Sequence, residues 1–144
     1  MTSVRPWPFL VAAALLACTP VRAAEGDEAL IRAWGGKPGI AAVMDDLVRR
    51  LKLDTRTAHF FRDSNATHLA AQLTEQLCQV AGGPCRYEGP TMREAHADMG
   101  LTRADFLALV ELLQDSMAAR RVPWDAQRAM LARLAPMHRE IVAP

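Results

Sequence analysis

The chain has 144 residues, 51% of them hydrophobic and 6% aromatic, with 17 Lys and Arg against 16 Asp and Glu. That length fits one compact domain and excludes a second full one. Residues 1–23 carry two arginines and no acid, so the remainder holds 15 basic against 16 acidic residues. That balance lacks the basic excess that nucleic acid or an anionic membrane surface selects.

Residues 1–23 read as an export signal. Arg5 precedes the apolar run Phe9 to Ala17, which is too short for a bilayer span of about 20 apolar residues. Two processing sites stay open. Val21-Arg22-Ala23 offers small residues where signal peptidase needs them and leaves a domain over 24–144. Leu15-Leu16-Ala17-Cys18 has the form of a bacterial lipobox, which gives a signal over 1–17 and an acylated Cys18. No twin arginine precedes the run, so export in the unfolded state is expected. The expected location is periplasmic, or lipid-anchored to a bacterial membrane through Cys18 alone.

Beyond the signal the periodicity is helical. Ile40, Val43, Met44, Leu47, Val48 and Leu51 form one amphipathic stripe. Leu69, Leu73, Leu77 and Val80 form a second, opened by Asn65 as N-cap. Phe106, Leu109, Val110, Leu113 and Met117 form a third after a Thr102–Asp105 capping box. Met130, Leu134, Met137 and Ile141 form a fourth after Pro123, and Pro136 should kink or divide it. Gly35-Gly36 and Gly82-Gly83 mark helix ends. No run alternates with period two over strand length, so the fold class is all-α.

Among four histidines, His68 and His138 read as surface residues and His59 as a turn residue. His96 differs. A Thr91–Glu94 capping box and Gly100 bound a short helix of about two turns, on which Met92, Ala95 and Met99 flank the imidazole. By spacing alone His96 is either a core histidine or a ligand to a flat apolar cofactor. No second His or Cys four residues away supplies a zinc pair, and no Cys-x-x-Cys-His supplies covalent haem attachment. Cys78 and Cys85 flank Gly82-Gly83-Pro84 and are either a disulfide or two buried thiols. Asp45-Asp46 reads as a solvated acid pair. No nucleophile elbow, phosphate-binding loop or zinc-hydrolase motif is present, so a hydrolase is not supported.

Trp34-Gly35-Gly36-Lys37-Pro38-Gly39-Ile40, His59-Phe60-Phe61, Gly82-Gly83-Pro84-Cys85-Arg86-Tyr87 and Met92-Arg93-Glu94-Ala95-His96 together resemble the group I truncated haemoglobins. The resemblance runs over roughly residues 28 to 142 without insertions. It implies a two-over-two helical sandwich, a non-covalent haem b (iron protoporphyrin IX) and His96 as the axial ligand of the iron. It also implies that Phe61 stacks on the macrocycle beside Phe60, and that Met92, Leu101 and Phe106 line the proximal side. Each of these is otherwise ordinary core. Arg93 is either a partner for a haem propionate or a solvated charge.

The distal side departs from the family pattern. The position of the family's distal Tyr is Val48, and two polar positions on the facing helix are Leu69 and Leu73. Gln72 and Gln76 remain as hydrogen-bond donors to a bound gas. A pocket this apolar should release oxygen faster than its Tyr-bearing relatives, since a hydrogen bond to a charged group contributes about 1.5 to 3 kcal/mol. The resemblance thus implies a binder of oxygen, carbon monoxide or nitric oxide. The alternatives are a nitric oxide dioxygenase or peroxidase served by a separate reductase, and a haem-free interaction or sensor module.

Overall fold

In a computed structural model, the structure describes residues 21–142. The apolar run of the expected signal and Cys18 lie outside the described residues. The first helix, α1 (Val21–Ala33), runs across the expected processing boundary after Ala23. It stops at Gly35-Gly36, whose φ values of 78° and 70° belong to the left-handed region that a side chain would strain. The chain then turns sharply into α2 (Gly36–Leu53).

The four stripes fold as the periodicity predicts. They become α2, α3 (Ala66–Val80), α5 (Arg103–Ala119) and α6 (Trp124–Leu134). The Asn65 side chain accepts from the His68 amide at the start of α3. The reciprocal Thr102–Asp105 capping box opens α5. Pro123 is the N-cap of α6, one residue earlier than the first helical position. Pro136 divides the last stripe, as it must where a proline removes an N–H donor. A 3-10 turn over Ala135–Met137 separates α6 from α7 (His138–Ile141). No strand occurs among the described residues.

Helix α2 packs on both α3 and α5, and α6 reaches across to α3 and α1. Helices α2 and α3 thus make one pair, covered by a second that consists of α5 on α2 and α6 on α3. Ile40, Met44, Met117 and Met130 meet between the pairs with 0% exposure. Trp34 closes one end, its indole N–H donating to the Ala126 carbonyl at 3.3 Å. Arg133 closes another, donating to the Val80 carbonyl at 3.0 Å and pairing with Asp27 at 2.6 Å.

One sequence reading needs correction. Asp45 is solvated, but Asp46 is buried and takes hydrogen bonds from Arg49 and, at 2.6 Å, Arg50. Burial pushes its carboxyl up, but bonding to Arg50, Arg49 and Ser116 outweighs it and holds the group below its ordinary value. A carboxylate one helix position from a solvated one can face the core if cations follow it at i+3 and i+4.

Candidate functional site

The predicted capping box forms at the entry to α4 (Met92–Ala95). Thr91 Oγ1 accepts from the Glu94 amide at 3.2 Å, and the Glu94 carboxylate accepts from the Thr91 amide at 2.9 Å. The helix is shorter than predicted: α4 is the single turn Met92–Ala95, and His96 is its C-cap. Asp98 and Gly100 take φ values of 60° and 62°, which end the helix before Gly100 is reached. The His96 amide still bonds the Met92 carbonyl at 3.2 Å, and ring atom Nδ1 lies 2.8 Å from the same oxygen. A carbonyl oxygen only accepts, so Nδ1 carries the proton. The lone pair of the neutral ring is then on Nε2, as is usual where a metal-ligating imidazole donates its other N–H to a backbone carbonyl.

Four elements converge around this turn. From α3, the Gln76 amide donates to Met92 Sδ at 3.1 Å and reaches Met137 Sδ at 4.0 Å. Helix α7 packs on α4. His138, read as a surface residue, is half-buried instead, its ring edge-on to Phe106 of α5 with centroids 4.8 Å apart. The 3-10 turn at Pro136 re-aims His138, which helical periodicity leaves on the surface, while Met137 of the fourth stripe stays half-buried as expected. Gln76 is 9% exposed and its amide is committed to two thioethers, so it braces α3 against the proximal segment. Gln72 is half-exposed, one helical turn away.

The predicted wall residues share one property. Phe60, Phe61, Leu69, Leu73, Met92, Leu101 and Phe106 are all half-exposed, beside a core that is otherwise sealed. Phe61, Leu69 and Leu73 pack on the rim of that core. Phe60 stacks against His59 with ring centroids 3.8 Å apart. Val48 is buried between α2 and α3, where it faces Ala70. Arg93 is exposed and has no carboxylate partner among the described residues. His68 is exposed at the start of α3, as expected.

The two cysteines meet. The Cys78 and Cys85 sulfur atoms lie at bonding distance with Cα atoms 5.6 Å apart, within the range of a disulfide. They hold the end of α3 against the loop that leads into α4. The turn between them requires Gly83, where a Cβ would come within 2.8 Å of Cys78 Sγ and 2.9 Å of Ile31 Cδ1.

These residues fit a haem. Among the described residues no three His, Cys, Asp or Glu side chains gather as a metal cage. The site instead offers one imidazole with a free Nε2 amid half-exposed apolar side chains, which suits a metal whose remaining ligands come from an apolar macrocycle.

Helix order, layering and the oriented histidine define an all-helical globin of the two-over-two type. The family model for bacterial-like globins matches residues 29–143, and the chain belongs to that family, among the group 1 truncated haemoglobins. The group 1 truncated haemoglobin of Nostoc commune is 32% identical over 103 residues, which cover 72% of this chain and 87% of that protein. The group 1 truncated haemoglobin of Tetrahymena thermophila is 34% identical over 79 residues, 55% of this chain; the match spans 65% of the relative's length. The truncated haemoglobin of Tetrahymena pyriformis in its Fe(III) form superposes with a TM-score of 0.76 at 24% identity, covering 80% of this chain and 98% of the other. The 2/2 haemoglobin of Synechococcus sp. PCC 7002, a cyanomet form with covalently attached haem, superposes with a TM-score of 0.73 at 20% identity over 78% of this chain and 97% of the other.

Proposed function

We propose that the chain is a haem protein that binds a diatomic gas, with His96 Nε2 as the protein's ligand to the iron. The observation that carries this reading is the 2.8 Å contact from His96 Nδ1 to the Met92 carbonyl, which orients the ring and leaves the second nitrogen available. When bound, a ferrous haem supplies reversible coordination of oxygen, carbon monoxide or nitric oxide. The chain supplies the rest. Met92, Leu101 and Phe106 form an apolar proximal surround, Phe60 and Phe61 a wall, and Leu69 and Leu73 a distal side that excludes water. Gln72 is the distal side chain left to donate to a gas ligand, because the Gln76 amide is taken up by Met92. Arg93, exposed beside His96, is the cation placed to meet a propionate.

The cofactor is held without a covalent bond in this reading. Reconstitution with haem tests it: a Soret band should appear in the chain and vanish in His96→Ala. Extraction into acid-butanone should strip the haem completely, whereas pigment that stays with the protein after extraction contradicts the non-covalent form. The same reading includes export under the signal over residues 1–23 and a Cys78–Cys85 disulfide in the exported protein. Mass spectrometry of the protein recovered from cells, with and without reductant, reads the new N-terminus, any lipid on Cys18 and the two thiols together.

A further inference from the structure

The segment that carries Phe60 and Phe61 is attached to the molecule at two places. Its first half is tied by the chain itself. Thr57 and Ala58 donate their amides to the Asp54 carbonyl at 3.1 and 2.8 Å, and the buried Thr57 hydroxyl donates to the Leu51 carbonyl at 2.8 Å. Its second half, the end of the 3-10 turn Ala58–Phe61 and the residues after it, meets one side chain from outside. Lys52 Nζ donates to the carbonyls of Phe61 and Ser64 at 2.7 Å each, with the Arg62 carbonyl and Ser64 Oγ both 3.5 Å away. The Ser64 hydroxyl donates to the same Phe61 carbonyl at 2.8 Å.

Every oxygen around this ammonium belongs to residues 61 to 64, and it has no carboxylate partner among the described residues. A lysine on a solvated face gains little by leaving water for one carbonyl. Several carbonyls at the C-terminal end of a turn are different: their dipoles add, each keeps a lone pair to spare even where, as at Phe61, Ser64 also donates to it, and a cation there satisfies them. The contacts span 9 to 12 residues, so the ammonium closes the loop from the end of α2 to the start of α3.

We propose that Lys52 is a positioning residue for the Phe60–Phe61 wall: its ammonium caps the turn and fixes the aromatic pair relative to α2. The consequence for haem rests on the reading of the site given above; the consequence for the loop does not. Two variants separate them. Lys52→Met keeps the aliphatic stem and removes the donors, whereas Lys52→Arg keeps a cation that can donate to the same carbonyls.

Amide hydrogen exchange on the haem-free chain is the first measurement. In Lys52→Met, exchange over residues 60–64 should rise about ten-fold or more, with residues 40–51 and 108–117 unchanged, and Lys52→Arg should return most of the protection. Unchanged exchange at 60–64, or an equal rise through α2 and α5, overturns the proposal. The second measurement is haem transfer from each reconstituted form to an acceptor globin, with Soret circular dichroism as the spectroscopic signature of the wall. Lys52→Met should release haem several-fold faster and change the dichroic band, with both restored in Lys52→Arg. If the parent chain takes up no haem, the reading of the site fails, while the exchange data still decide the clamp.

Discussion

The interior between α2, α3, α5 and α6 and the surface around His96 are built from the same residue types and end in opposite states. In the interior, Ile40, Met44, Met117 and Met130 reach 0% exposure, and every side-chain polar atom buried among the described residues has a partner. Outside it, an equally apolar set of Leu69, Leu73, Met92, Leu101, Phe106 and Met137 stays half-exposed. Helix packing alone would have covered them. A fold that seals one apolar region and leaves its neighbour part-covered, with an oriented imidazole in it, offers the surface that the proposed haem would cover. The interior should therefore answer to stability measurements and the His96 region to cofactor measurements, and substitutions can break or sharpen that division.

The largest effect expected is on the cofactor side. His96→Ala should abolish the Soret band of the reconstituted chain and leave the melting temperature of the haem-free chain within a degree or two, because a half-exposed imidazole contributes little packing. A haem-free chain that unfolds with His96→Ala would make the histidine structural and erase the contrast. On the interior side, Met117→Ala should cost about 2 to 5 kcal/mol in chemical denaturation, the usual penalty for a buried methionine. The band position of whatever haem remains bound should not change.

Asp46 sharpens the comparison by pH. Replacing it with Asn should cost about 2 kcal/mol at neutral pH, in line with hydrogen bonds to a charged group that is largely buried. Its folded carboxyl is held below the ordinary value, so the unfolded chain takes up the proton first as pH falls. The stabilisation is thus complete above the ordinary aspartate range near about pH 4 and disappears as pH drops through the lower folded value. Asp46→Asn should flatten acid denaturation curves in that window and no other. The smallest effect belongs to the distal side. Gln72→Leu should speed oxygen dissociation about ten-fold or more, the worth of one hydrogen bond to a charged group, and Gln76→Leu should instead act on haem retention through Met92. Equal effects of the two on oxygen dissociation would return Gln76 to a distal role.

Much of this was legible in one dimension. Asn65, Thr91–Glu94 and Thr102–Asp105 announce helix starts because their side chains bond amides three residues away, and a local bond needs no knowledge of the fold. The approach of Cys78 to Cys85 was open in the sequence: seven residues and a Gly-Gly turn allow contact, and only the turn's geometry brings the sulfur atoms together. His138, Lys52 and Asp46 were misread or passed over. His138 and Lys52 depend on a break in helical phase or on a partner from another element, which leaves no periodic trace, and Asp46 on which of two adjacent acids its helix turns inward.

The sequence by itself determined the all-helical class, the places where helices begin, the break at Pro136 and the choice of His96 as the distinctive histidine. These follow from spacing and from bonds over three or four residues. Only the tertiary structure decided that the Gln76 amide spends itself on thioethers, that His138 turns in against Phe106, and that Lys52 grips the loop beneath the two phenylalanines. Such contacts join residues 9 to 61 positions apart, and a side chain's partner at that range is set by how the helices stack.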